Sequence, residues 1–152
     1  MTQTTNSIWG GAAKVEISDD GSDWTNISGH AQRVLPDAVT RRIGEKWTFD
    51  GEYPIVKVGK RNSISITVGV IYTEEAADAF EVVRAMFEAE GGGTIYLQWS
   101  PAGGSGGEFQ FTTDAGFVKE FNYAPVDSEE DGPLTVEFGM QCAQITKSTV
   151  ST

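Results

Sequence analysis

The chain has one cysteine and one histidine in 152 residues. A single thiol, Cys142, excludes an internal disulfide and fits folding in a reducing compartment. It lies on the apolar parity of the run Leu134–Cys142, which predicts a buried thiol rather than a nucleophile. A histidine-based triad would depend on His30 alone, beside Gly29 in a turn-like stretch. No His/Cys cluster has zinc spacing, and the acidic turn Asp127–Pro133 lacks the alternation of a calcium loop. The glycines at 91–93 and 102–107 do not sit between a strand and a helix start, and Gly59-Lys60 lacks the earlier glycine of a phosphate-binding loop. No apolar run approaches the about 18 residues that a membrane span needs. The opening MTQTTNSIWGG has neither the basic nor the apolar region of a secretory leader. The expectation is a soluble protein made in a cytoplasm, with no membrane partner, no cofactor and no metal.

Basic residues are scarce as well: 11 against 22 acids, a net charge of -11. Binding to nucleic acid needs a basic face that displaces counterions from phosphate, so a nucleic-acid binder is disfavoured. A pair of catalytic carboxylates could hide among so many acids. They fall mainly in turns, at a helix start and on polar parities, where carboxylates are simply solvated. No enzyme is expected.

What charge there is, is unevenly spread. Residues 33–61 carry seven bases and four acids, whereas residues 62–152 carry three bases and fourteen acids. A basic segment on an acidic body points to head-to-tail packing against an acidic surface of a second copy.

Apolar patterning supplies the elements. Val15 and Ile17 alternate with Lys14 and Glu16 in a short strand, and Asp20-Gly21 turns it. Trp24 and Ile27 begin a second extended run that Val34 and Leu35 continue to Pro36. From Arg41 to Arg61 the chain reads as a long hairpin turned at Asp50-Gly51, with Trp47 and Phe49 on one parity and Tyr53, Ile55, Val56 and Val58 on the return. Exposed aromatics on such an arm are a liability unless something covers them. Ile64, Ile66, Val68 and Val70 face one way, while Ser63, Ser65, Thr67 and Gly69 face the other. Thr73 can cap a helix over about 73–90, in which Ala76, Phe80, Val83 and Phe87 share a face and Gly91-Gly92-Gly93 ends it. The remainder alternates as strands, with the glycine-rich 102–107 as a hairpin tip. These elements predict a mainly β domain over 1–152, an antiparallel sandwich or barrel of roughly eight strands with one flanking helix. The segments 1–11 and 147–152 are expected to be flexible arms.

With the segments in order, most of the chain resembles the major tail proteins, the tail-tube subunits of long-tailed bacteriophages. The resemblance rests on VEISDDGSDWTNISG near the start and RRIGEKWTFDGEYPIVKVGKRNSISITVGVIYTEEAADAFEVVRAMFEA in the middle. It continues through LQWSPAGGSGGEFQFTTDAGFVKEFNYAP to ITKST. It implies a β-sandwich with a flanking helix, hexameric rings that share an inner β-barrel around a channel, and rings stacked head to tail through a long hairpin and terminal arms. On this chain, Trp47, Phe49, Tyr53 and Ile55 would be the inter-ring anchors. Arg41, Arg42, Lys60 and Arg61 would meet acids on the next ring. The polar parities Ser63, Ser65 and Thr67, or Thr135, Glu137 and Gln141, would line the channel. DNA would pass through an acidic lumen without specific binding. Tape-measure, tail-terminator and distal tail proteins would be partners, in a virion tail assembled in the host cytoplasm. Two alternatives stand beside this reading: a related tail, baseplate or secretion-type tube component, and a carbohydrate-binding β-sandwich module. The second would stack sugars on Trp47, Tyr53, Tyr96 and Trp99.

Overall fold

A computed structural model describes residues 2–129 and 131–151. These residues form eleven strands and one α-helix. The strands are β1 (Lys14–Ser18), β2 (Thr25–Asn26), β3 (Ala31–Pro36), β4 (Arg41–Lys46), β5 (Ile55–Arg61) and β6 (Ile64–Ile71) before the helix α1 (Ala79–Glu88). After it come β7 (Thr94–Ser100), β8 (Phe109–Thr113), β9 (Gly116–Phe121), β10 (Thr135–Cys142) and β11 (Ile145–Thr149). Nine strands hydrogen-bond in one branched antiparallel sheet, in the order β11-β8-β7-β9-β10-β6-β3, with β1 also on β7 and β2 on β1. Strands β4 and β5 form a separate two-stranded sheet. The mainly β antiparallel architecture with one helix and a long hairpin is therefore as the patterning predicts, with more and shorter strands.

The core follows from parity. Across β6 and β10, Ile64 lies opposite Cys142, Ile66 opposite Met140, Val68 opposite Phe138 and Val70 opposite Val136, and all eight side chains are buried. Val15, Ile17, Ile95 and Leu97 of β1 and β7 join the same cluster. Each such side chain contributes roughly 1.5–3 kcal/mol on leaving water. The helix closes the open side: Ala79, Phe80 and Val83 are buried, and the Phe80 ring lies 5.1 Å from that of Phe121 on β9.

Three boundaries differ from the sequence reading. The helix starts at Ala79, not near Thr73. Asp78 occupies the cap position but makes no capping bond, because its carboxylate is otherwise engaged: Thr73 donates its hydroxyl to Oδ2 at 2.6 Å, and His30 Nε2 lies 3.4 Å from Oδ1. That carboxylate ties residues 73–78 to the turn at His30, and the Asp78 amide donates to the Glu75 carbonyl in a turn that precedes the helix. The run from Trp24 to Pro36 is split into β2 and β3 by a turn in which the His30 and Ala31 amides both donate to the Ile27 carbonyl. Finally, Lys147–Thr149 belong to β11 and pair with Phe109–Phe111, and the Val150 amide donates to Glu108 O. The C-terminal arm expected over 147–152 is thus strand for its first half; Met1 and Thr152, at the ends of the two expected arms, lie outside the described residues.

Candidate assembly surfaces

Among the described residues the β4–β5 hairpin pairs only with itself, and every residue of both strands is exposed. It leaves the body between β3 and β6. At its root the Asn62 amide donates to Thr40 O, and the Asn62 side chain donates to Thr40 Oγ1 at 2.8 Å. Arg41 Nη1 donates to the Gly59 carbonyl at 3.3 Å, steadying the bulged end of the ladder. Cross-strand partners share a side of a two-stranded ribbon. Ile43 lies opposite Val58 and Glu45 opposite Val56 on one side, while Gly44 lies opposite Lys57 and Lys46 opposite Ile55 on the other. One side is therefore mainly branched apolar surface and the other carries the lysines.

This register redistributes the eight expected contact residues. Trp47, Phe49 and Tyr53 are not strand residues; they sit in the loop at the tip, and all are exposed, Tyr53 at 84%. Ile55 lies on the lysine side. Arg41, Arg42, Lys60 and Arg61 cluster at the root, about 20 Å of strand away from the tip. The eight thus form an aromatic tip and a basic root rather than one patch. The apolar side, Ile43 with Val56 and Val58, was missed. Its signal was present in the residue types, but the bulge between Arg41 and Ile43 decides which residues face each other.

The two candidate channel-lining sets turn out to be one surface. Gln141 is the partner of Ser65 and Glu137 of Gly69, so the outward parities of β6 and β10 share a face. Side-chain bonds knit it together: Ser65 Oγ donates to Gln141 Oε1 at 2.7 Å, Gln141 Nε2 donates to Ser63 Oγ at 2.6 Å, and Lys119 Nζ donates to Ser65 Oγ at 2.7 Å. Thr67 faces Gly139 and Thr135 faces Ile71 across the same ladder. A register shift in β9 places both Lys119 and Glu120 outward. With Arg33, which is ion-paired to Glu137, the strands give this face two bases and two acids. The acid excess of the chain lies elsewhere. Residues 74–90 hold six acids and one base, Arg84, which is itself bound by Glu81 and Glu88.

The remaining chemistry-bearing groups have structural roles. Cys142 is buried, and burial, followed by the nearby Asp114, pushes its thiol up to about 11. The groups around His30 do not form a relay, because the hydroxyl of Thr73 is held by the Asp78 carboxylate and not by the imidazole. Among the described residues no group of His, Cys, Asp and Glu could hold a metal ion. The four aromatics of the sugar-binding alternative do not assemble. Trp47 and Tyr53 are at the hairpin tip, Trp99 stacks on Phe111, and the Tyr96 ring covers Gly21, where a Cβ would meet it at 3.2 Å.

No family model matches the sequence, and no curated protein does. Solved structures do match by shape. A chain of the PVC extracellular contractile injection system, sheath-tube complex in the extended state, aligns with a TM-score of 0.71 at 11% identity, over 96% of this chain and 94% of that one. The tail of an empty GTA particle, refined helically with C6 symmetry, gives 0.64 at 13% identity, over 95% and 100%. The SPP1 tail tube gives 0.60 at 13% identity, over 96% and 81%. Across nearly its whole length, the chain has the fold of tail-tube proteins.

Proposed function

We propose that this chain is a structural, non-catalytic subunit of a tail tube, forming hexameric rings that stack head to tail around a channel. The observation that carries this reading is the tail-tube fold over nearly the full chain combined with a long hairpin that pairs with no other strand among the described residues. The C6 symmetry of the GTA tail supports six copies per ring. Donor and acceptor surfaces that differ on one chain generate rings or open helical stacks rather than closed dimers. The face shared by β6, β10 and β9 suits a channel lining. Apart from exposed Phe117 opposite Gln141 and Leu35 opposite Thr67, it is polar, neutral in sum and cross-linked by its own hydrogen bonds, and Arg33 and Lys119 are bound by Glu137 and Ser65. A lining of this kind leaves little free positive charge to hold phosphate, so DNA would slide along it without adhering. In this reading the tube ends on terminator and distal proteins, encloses a tape measure and delivers DNA into a bacterial host.

The match to an injection-system complex favours a second, closely related reading, a tube of the injection-system type. Packaged DNA in purified particles would separate the two. Negative-stain electron microscopy of the purified full-length protein tests both: rings or stacked tubes with a central stain-filled channel are expected. A strictly monomeric protein at every concentration and salt, with tail partners present, would overturn them.

A further inference from the structure

The hairpin needs an acceptor, and among the described residues, besides a groove formed by Ile8, Pro101, Phe109 and Phe111 with Glu108 as its one charged lining residue, two further apolar grooves are candidates. One lies among Trp99, Phe111 and Ile145, beside Val39 at the hairpin's own root; its charged lining residues are Asp37 and Lys147, one of each sign. The other runs along α1, between the helix and the turn after β1, and encloses about 590 Å³. Its floor is Val82, Ala85, Met86 and Ala89, and Asp19 and Glu81 stand at its rim. The surrounding segment is strongly acidic: residues 74–90 carry six acids against Arg84, and the adjacent turn adds Asp19, Asp20 and Asp23. Asp20 remains a fixed negative charge there, because the amides of Asp23 and Ser22 and the Ser18 hydroxyl donate to its carboxylate and hold it below the usual carboxylate range.

The hairpin carries the complementary properties. Residues 41–61 hold six bases and three acids, and one side of the ribbon presents Ile43, Val56 and Val58, with Glu45 opposite Val56. Resting on the proposed tube function, we infer that the α1 groove of a second copy is the acceptor for this hairpin. The apolar side seats on Val82, Ala85, Met86 and Ala89, while the bases at the root of the hairpin, Arg41, Arg42, Lys60 and Arg61, draw it to the acids around the groove. Opposite charge steers the encounter and sets the partner, while the apolar contact supplies the binding. Charge favours the α1 groove: Asp19 and Glu81 line it and further acids flank it, whereas the groove at Trp99 has one charge of each sign and the groove at Phe109 has Glu108 alone.

Paired cysteines test the contact. Val58 and Ala85 are both exposed, and the native Cys142 is buried, so a Val58→Cys/Ala85→Cys chain presents two accessible thiols on the two proposed surfaces. Under mild oxidation it is expected to give a ladder of disulfide-linked multimers at least tenfold faster than either single-cysteine variant. A second variant, Ala85→Arg, fills the groove and adds like charge to the incoming ribbon. It is expected to keep the monomer's circular dichroism while raising the protein concentration needed for assembly by tenfold or more. If microscopy shows normal tubes yet the double variant cross-links no faster than the single ones and Ala85→Arg assembles normally, the acceptor is wrong while the tube function stands. If the unmodified protein never assembles, both fall together.

Discussion

At the scale of single residues, local rules are overridden where a side chain has a stronger use. Asp78 is a good capping residue by type, yet it spends its carboxylate on Thr73 and His30, and the helix starts without a side-chain cap. Gly93 shows the reverse, a residue whose role is legible only in three dimensions: a Cβ there would lie 2.6 Å from the Met86 carbonyl oxygen, so only glycine lets the chain pass the end of α1. Cys142 yields a pH prediction. Its thiol is raised from 9.0 to about 11 in the folded chain, so the folded state holds its proton after the unfolded state has released it. The unfolded state then binds fewer protons, and stability falls with rising pH. This contribution is whole below pH 9, is lost between there and about 11, and is constant above that. Urea midpoints measured across that window should fall more steeply for the native protein than for Cys142→Ala; parallel curves would contradict the assignment.

At the scale of elements, alternation was sufficient for β6 and β10 but not for the hairpin. In β6 every second residue meets the same core, so parity alone assigns Ile64 to Val70. In β4 and β5 neither side is buried, and a bulge shifts the register, so parity could not tell Ile55 from Val56 and Val58. The tip and root also make separable predictions. Trp47→Ala removes an aromatic at the tip, and the pair Lys60→Glu and Arg61→Glu reverses charge at the root. Because these side chains are exposed and the hairpin forms its own sheet, both variants should keep the monomer's melting temperature to within a few degrees. Both should abolish stacking in sedimentation and microscopy. Normal polymerisation of both would show that the hairpin is not the stacking element.

At the scale of the whole molecule, stability and assembly are assigned to different parts. The nine-stranded sheet and α1 enclose one core, while the hairpin stands outside it. Amide hydrogen exchange on dissociated monomer should find the slowest exchange at Val68, Phe138 and Met140, near the global unfolding limit, and fast exchange over 43–58. On assembly, protection should rise in 43–58 and along α1, with little change in the core. An unchanged hairpin in assembled material would count against its use as a contact.

The sequence by itself determined the class of fold, the buried thiol and the one basic segment on an acidic chain. Each depends on residue type and short-range period, and these survive any arrangement of the elements. Tertiary structure decided what shares a surface: that Ser63, Ser65 and Thr67 lie with Glu137 and Gln141 on one face, and that Ile43 faces Val58. It also placed the acidic helix beside an open apolar groove. Those facts depend on strand register, bulges and the docking of α1, which are settled by contacts between residues far apart in the chain.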